Sequence, residues 1–147
     1  MTQEEKQLLL KDLCCRSPYD VMVDYESHIY ILNEVDPACK DIDYITVRIQ
    51  DVERLMCAKS TMIEDIKPYL RPMSSMTEEE KREIYDWLVE NDVDWFDFSK
   101  LRLDEILISF DSSWLLVNWL NERHFDYHGL IEKGLAIEAS EGMYEAK

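Results

Sequence analysis

The segment from Lys67 to Lys81 constrains the fold more than any other part of the chain. It reads KPYLRPMSSMTEEEK, and each of its two prolines lacks a backbone donor and disfavours helical geometry in the residue before it. We therefore expect neither a helix nor an inner β-strand to pass through its first part. Thr77 then begins a helix as its N-cap, with Glu80 three residues later in a capping box.

This segment predicts a joint, at residues 67–76, between a β-rich half (residues 1–66) and a helical half (residues 77–147). A length of 147 residues favours one compact domain and allows a substantial core. The predicted fold class is α+β: an N-terminal helix, a small antiparallel β-sheet of three or four strands, and a helical C-terminal half packed against it.

In the β-rich half, Thr2 and Glu5 form a capping box that begins a helix over residues 2–16. Alternating apolar and polar residues predict strands at 21–25, 28–32 and 42–49. Residues 51–66 suit either a short helix or a strand, and a strand near 54–59 is favoured.

In the helical half, apolar spacing predicts helices at 78–91 and 114–123, with a short helix near 100–108. Residues 92–98 are expected to be an extended connector. Gly129 and Gly134 predict turns, with fraying after Gly142. We expect much of the core to come from three tryptophans and two leucines: Trp87, Trp114, Trp119, Leu13 and Leu120.

The net charge of −16 is the outlying property of the composition. Residues 1–75 carry 14 acids and 9 bases, whereas residues 76–147 carry 18 acids and 7 bases, so the negative charge is concentrated in the helical half. A field of this sign repels nucleic acid and anionic lipid, and it favours basic partners or simply solubility. Direct nucleic-acid binding is therefore not expected.

Four acids of the predicted helix 78–91 form an outward acidic ridge: Glu79, Glu83, Asp86 and Glu90. Three interpretations stay open. The ridge docks a basic protein partner, or it mimics DNA by arraying carboxylates like backbone phosphates, or it is a solvated face that keeps the protein soluble. The bases Lys81 and Arg82 interrupt the ridge, which weakens the interpretation as a DNA mimic.

His124, Asp126 and His128 are the weak candidates for a metal site, since imidazole and carboxylate suit zinc. They straddle a predicted helix end, and no Glu follows the first His as in metalloproteases. The alternative interpretation is two capping or partly exposed histidines. Three further acids, Asp92, Asp94 and Asp97, lack the spacing and the glycine of a calcium loop. No cofactor is expected.

The cysteines Cys14, Cys15, Cys39 and Cys57 have no C-x-x-C spacing and are expected to be free thiols. At least one of the adjacent pair is expected to be buried. Nothing in the sequence matches a nucleophile elbow, a P-loop or a dinucleotide fingerprint, so an enzyme is not indicated. The chain also lacks an apolar stretch of about 18–20 residues, and its N-terminus is unlike a signal peptide, so a cytoplasmic location is expected.

Three segments resemble a family of uncharacterised small acidic proteins of gut Bacteroidales genomes and their mobile elements. They are MTQEEKQLLLKDLC (1–14), KPYLRPMSSMTEEE (67–80) and WLNERHFDYHGLIEKGLAIEA (119–139), about a third of the chain. The resemblance implies a bacterial, cytoplasmic, single-domain protein and no known activity. In the family's pattern Ala is common in place of Cys15 and Arg in place of His128, which weakens a thiol or metal role for both.

Two functional hypotheses follow from the sequence. The first is a non-catalytic interaction protein, such as an accessory of a mobile element, that presents the acidic ridge to a basic partner. The second is a small metal-dependent enzyme that uses His124, Asp126 and His128.

Overall fold

The computed structural model describes residues 1–36, 45–54, 58–90 and 114–144, with the backbone alone for 87–89, 114 and 115. These residues form α-helices and β-strands in one α+β arrangement, as predicted. The helices are α1 (Gln3–Arg16), α2 (Glu78–Glu90) and α3 (Trp114–Glu122). The strands are β1 (Met22–Tyr25), β2 (His28–Val35), β3 (Thr46–Asp51), β4 (Ala58–Met62), β5 (Lys67–Pro72), β6 (Phe125–Asp126) and β7 (Ile137–Glu138).

The sheet contains seven strands among the described residues, instead of the three or four predicted. Strands β4-β3-β2-β1-β5 are antiparallel, and β6 and β7 each pair with β5 in parallel. The Leu70 carbonyl accepts from the Ala139 amide, and the Arg71 amide donates to the His124 carbonyl. These two groups of β5 belong to one trans peptide and point in opposite directions, so β6 and β7 lie on different edges of β5.

Strand β5 occupies the segment for which the prolines predicted no inner strand, so that prediction is wrong. Pro68, Leu70 and Pro72 stand at alternate positions, and their backbone groups therefore face the same edge of β5. On that edge the Leu70 carbonyl accepts from Ala139 at 2.8 Å, just after β7. Strand β7 pairs only with Tyr69 and Leu70, so it requires no donor from either proline.

Glu26 and Ser27 form the two-residue turn of the β1–β2 hairpin, between the two strands predicted at 21–25 and 28–32. Both residues have positive φ angles, 51° and 64°, although neither is glycine. Two consecutive residues of this geometry match the right-handed twist of the flanking strands. The strand predicted near 54–59 is found in part, as β4 at Ala58–Met62, and residues 55–57 lie outside the described residues. The first three residues of the strand predicted at 42–49 also lie outside them.

Helix α1 covers one face of the sheet, and the contact forms the main core. Its capping box is present as predicted: Glu5 N–H donates to Thr2 Oγ1 at 3.1 Å, and Thr2 N–H donates to Glu5 Oε2 at 2.7 Å. Leu9 and Leu13 of α1 are fully buried. They pack in one cluster with alternate strand residues, among them Val21, Val23, Leu32, Val47, Ile49 and Leu70.

The helical C-terminal half is not found in the residues described. Helices α2 and α3 are present, but residues 123–144 form turns and the strands β6 and β7. Gly129 and Gly134 lie in turns with φ of 71°, as predicted. The connector at 92–98 and the helix near 100–108 lie outside the described residues.

The tail beyond Gly142 does not fray at Tyr144, contrary to the prediction. The Tyr144 hydroxyl accepts a hydrogen bond from Met22 N–H at 3.0 Å and donates one to the Tyr69 carbonyl at 2.7 Å. It therefore bridges β1 and β5, and burial raises the pKa of this phenol well above its usual value. This tie holds the tail to the sheet.

The predicted core is confirmed in part. Leu13 and Leu120 are fully buried, whereas Trp119 is partly exposed. The side chains of Trp87 and Trp114 lie outside the described residues.

Candidate functional site

The four acids of the acidic ridge, Glu79, Glu83, Asp86 and Glu90, are all exposed on α2. Their spacing of four, three and four residues places them along one stripe of the helix. Ile84, on another side of α2, is only 2% exposed and packs the helix against the protein. The structure therefore presents the ridge to solvent along the described length of α2.

The start of α2 is fixed by Glu80, which has two roles. It completes the capping box: its N–H donates to Thr77 Oγ1 at 3.2 Å, and its Oε2 accepts from Thr77 N–H at 3.0 Å. It also forms a bidentate ion pair with Arg71 of β5, at 2.8 and 2.9 Å. Partial burial alone would raise the pKa of Glu80, but the bonds from Arg71 and the Thr77 backbone outweigh it and lower the pKa.

A second arginine, Arg123, reaches α2 from the residue after α3. Its Nη2 donates to Glu83 Oε1 at 2.5 Å, although 40 residues separate the two in sequence. Its Cζ lies 4.1 Å from the centroid of the Trp119 ring, in a cation–π contact. One member of the acidic ridge is thus already paired within the chain.

The two arginines stand in equivalent surroundings. The rings of Trp119 and Phe125 stack with centroids 5.9 Å apart and planes inclined by 8°. Arg123 covers the Trp119 ring, and Arg71 covers the Phe125 ring with its Cζ 4.2 Å from the centroid. Each guanidinium then pairs with a different glutamate of α2. We call this assembly the paired arginine seats, with an inner seat at Arg71 and an outer seat at Arg123.

The remaining charges of α2 are in solvent. Lys81 pairs with Glu78 at 3.0 Å, but both side chains are more than half exposed. Glu79, Asp86 and Glu90 form no ion pair with the part of the chain that the structure describes. Tyr85 is 46% exposed beside them. Three of the four ridge carboxylates therefore have no ion-pair partner in the described ranges, and the partly exposed Tyr85 ring lies nearby.

A separate polar cluster is buried beneath the ends of α1 and α3. Asp12 and Arg16, one helical turn apart in α1, are fully buried and joined by bonds of 2.7 and 3.0 Å. Arg16 also donates to the Phe125 carbonyl at 2.6 Å. Burial alone would raise the pKa of Asp12, but His128, with Nδ1 2.9 Å from Asp12 Oδ1, and Arg16 together lower it.

Tyr127 closes this cluster from the other side. Its ring lies under the Arg16 guanidinium, with Cζ 5.2 Å from the centroid, and its hydroxyl donates to Asn121 Oδ1 at 2.8 Å. Burial raises its pKa to about 12, so the phenol stays protonated at neutral pH. The cluster links α1, α3 and the segment after β6, and its groups are directed at one another.

The side chains of the three metal candidates do not converge on one point. The His124 ring stacks on Tyr144 with centroids 3.8 Å apart. The Asp126 carboxylate accepts bonds from the backbone amides of residues 130–131, at 2.8 and 2.9 Å. His128 bonds to the buried carboxylate of α1. Within the described ranges no group of three or more His, Cys, Asp or Glu side chains could hold a metal ion, and Asp92, Asp94 and Asp97 lie outside those ranges.

Cys14 and Cys15 are free thiols, and both are exposed, so the expectation that one of them is buried is wrong. They lie on the outer side of α1, because Leu9, Leu13 and Arg16 take its inner side. Desolvation raises the pKa of Cys14, with the neighbouring Cys15 adding to the effect, which disfavours its thiolate. Cys39 and Cys57 lie outside the described residues.

The acidic ridge was predictable from helical spacing, but the residues that hold it were not. Arg71 and Arg123 look like ordinary basic residues in the sequence, and no local pattern connects either with α2. A signal did exist for the buried pair, because Asp12 and Arg16 have the i, i+4 spacing of a helical ion pair. Spacing alone, however, does not indicate burial.

None of the described helices is long and apolar enough to span a membrane. No protein-family model, curated protein or solved structure matches the chain significantly. The geometry of the ridge and of the paired arginine seats is therefore the basis on which a function is argued.

Proposed function

We propose that the protein is a non-catalytic interaction protein that docks a basic protein partner on the acidic ridge of α2. The observation that carries this proposal is the exposure of Glu79, Glu83, Asp86 and Glu90 along one stripe of a helix that is anchored elsewhere. The resemblance to proteins of mobile elements is consistent with an accessory role of this kind.

The anchoring of α2 supports the proposal. The capping box and the bidentate pair with Arg71 involve Glu80, which is not part of the ridge. These anchoring contacts of the helix therefore do not involve Glu79, Asp86 or Glu90. A rigid helix that presents fixed charges loses little conformational entropy on binding, which favours recognition.

Electrostatics supports a basic partner in particular. A net charge of −16 accelerates the encounter with positively charged proteins. The ridge carboxylates that have no ion-pair partner in the described ranges can form ion pairs with lysine or arginine of the partner. Such contacts are screened over about 10 Å at 0.1 M salt, so the binding should weaken steeply as salt increases.

The metal-dependent alternative receives less support. His124, Asp126 and His128 each have a different bonding partner in the fold, so a shared ion would require all three side chains to move. We keep this hypothesis only as an outcome that metal analysis of the purified protein would reveal.

The test is affinity capture from a bacterial lysate at low and high salt, with identification by mass spectrometry. The tagged protein is compared with a ridge variant, Glu79→Gln, Glu83→Gln, Asp86→Asn and Glu90→Gln. A control variant with the same loss of charge neutralises four exposed acids elsewhere: Glu34→Gln, Glu53→Gln, Glu132→Gln and Glu138→Gln.

We expect the wild type and the control variant to capture the same basic protein, released by salt, and the ridge variant to lose it. Identical capture by all three proteins would refute docking on the ridge. If the captured protein binds DNA and DNA competes for it, the ridge acts as a DNA mimic.

A further inference from the structure

We infer that the outer arginine seat is a guanidinium-binding site, and that a partner's arginine takes the place of Arg123 there. This inference rests on the proposed function and specifies its partner, an arginine-bearing basic segment. The seat consists of the face of the Trp119 ring that Arg123 covers and the Glu83 carboxylate, and Arg123 shows that a guanidinium fits against both.

The chemistry of the seat selects arginine over lysine. A planar guanidinium stacks on an aromatic face and bonds a carboxylate in its own plane at the same time. Arg123 makes both contacts, with Cζ 4.1 Å from the Trp119 centroid and Nη2 2.5 Å from Glu83 Oε1. An ammonium group has no flat face to stack, so it would keep the charge contact and lose part of the ring contact.

The inner seat shows what a closed version of the same site is like. Arg71 bonds both oxygens of Glu80, and the two side chains are only 23% and 19% exposed. In the outer seat Arg123 bonds one oxygen of Glu83. The Arg123 side chain is 26% exposed, nearly as covered as Arg71, but the Glu83 side chain is 52% exposed. The difference between the two seats therefore lies in the carboxylate: Glu80 is enclosed, whereas Glu83 is accessible to the guanidinium of a partner.

The position of the outer seat connects it with the ridge. Glu83 belongs to both, so a basic segment lying along α2 reaches the Trp119 ring at the second of the four carboxylates. Arg123 must then move aside for the incoming side chain. Within the free protein it acts as an internal competitor that lowers the affinity for weakly basic segments.

The experiment measures binding of two defined peptides at low salt by calorimetry. Both are seven residues long, with three arginines or three lysines separated by Gly-Ser pairs. The variants are Arg123→Gln and Arg82→Gln, which remove the same charge. Arg82 is exposed on α2 itself and serves as the matched control, because it reports the general electrostatic gain.

We expect Arg123→Gln to bind the arginine peptide about fivefold more tightly than Arg82→Gln does, a gain the size of one exposed cation–π contact. For the lysine peptide the difference between the two variants should be smaller, because an ammonium group gains only the charge contact with Glu83. Equal gains for both variants and both peptides would overturn the inference while leaving the ridge as a binding surface.

Binding of neither peptide to any variant would mean that the proposed function itself has failed. Arg123→Lys guards against a folding artefact, since it keeps the charge and loses the stacking. We expect its affinity for the arginine peptide to lie between those of the wild type and Arg123→Gln. The indole N–H resonance of Trp119 should shift on binding of the arginine peptide, and an unchanged resonance would contradict the site.

Discussion

Helices α1 and α2 begin with nearly the same sequence, MTQEEK and MTEEEK, and both form a complete capping box. Their later residues separate them. Helix α1 turns charges inward and buries Asp12 and Arg16 completely, whereas α2 keeps the acids of the ridge exposed and contacts the protein through Ile84 and two glutamates. Nearly identical helix N-termini are thus followed by opposite arrangements of charge, a buried ion pair in α1 and an exposed acidic surface in α2.

The largest expected effect is on the buried pair of α1. Asp12→Ala leaves the Arg16 guanidinium buried beside the Phe125 carbonyl without its carboxylate, and we expect the free energy of unfolding to fall by about 3–5 kcal/mol. Urea unfolding followed by circular dichroism measures it. The double variant Asp12→Ala, Arg16→Met should recover much of the loss, because it removes the uncompensated charge. A loss below about 1 kcal/mol in the single variant would show that the cluster is solvated.

The next effect concerns the inner arginine seat. Glu80→Gln removes a bidentate, partly buried charged partner of Arg71, and we expect a loss of about 1.5–3 kcal/mol in unfolding free energy. The control is Glu79→Gln one residue earlier, which is exposed. Equal losses for the two variants would mean that Arg71 does not hold α2.

The acid dependence of stability follows from the same glutamate. The pKa of Glu80 is lower in the folded protein than its ordinary value of 4.5, so its stabilising effect is complete above that value and is lost as the pH falls through the folded pKa. We expect wild-type stability to decline below about pH 4.5 more steeply than that of Glu80→Gln. Urea unfolding at pH values from 6 down to 3 provides the measurement, and parallel curves would contradict the assigned shift.

Loss of either capping box should lower the stability of the protein by about the same amount. Thr2→Ala and Thr77→Ala each remove one side-chain acceptor from a helix N-terminus, and each should lower stability by about 1 kcal/mol. Thermal unfolding compares the two variants directly. A much larger effect of Thr77→Ala would show that this cap, through Glu80, also positions Arg71.

The smallest effect should come from the acidic ridge. Glu79→Gln and Glu90→Gln are expected to change the free energy of unfolding by less than about 0.5 kcal/mol, because both side chains are exposed and have no ion-pair partner within the described ranges. The same denaturation curves report it. A large loss would assign these acids a structural role and would remove the argument that α2 keeps them for a partner.

Local patterns predicted the parts of the fold that are decided locally. The capping boxes at Thr2 and Thr77 and the helices that follow them depend on residues within one turn, and the β1–β2 hairpin depends on alternation. Strand β5 was missed because a proline in a strand is tolerated or not according to the edge its nitrogen faces. The strand that pairs on that edge is β7, about 70 residues later in the chain, so the sequence around the prolines does not show which donors are needed there.

The candidate site divides in the same way. Helical spacing placed the four carboxylates of the ridge on one stripe, and the structure shows them exposed there. The paired arginine seats require Trp119 and Phe125 to stack and Arg123 to cross to Glu83, which are contacts between elements distant in sequence. Sequence spacing carries no information on such contacts when the residues involved are as common as arginine and glutamate.

The bridge made by the Tyr144 hydroxyl has a consequence for the order in which the fold can be completed. Strands β1 and β5 leave the ribosome long before Tyr144, yet their backbone groups at Met22 and Tyr69 are joined through its hydroxyl. Strands β6 and β7 are also late in synthesis and cover both edges of β5. The sheet therefore depends on contacts between residues far apart in sequence, which slow folding. Until those late residues arrive, the nascent chain exposes the parts of β5 that later pair with β6 and β7, although β1 already covers Lys67 and Pro68. At that stage β5 is most open to wrong pairing.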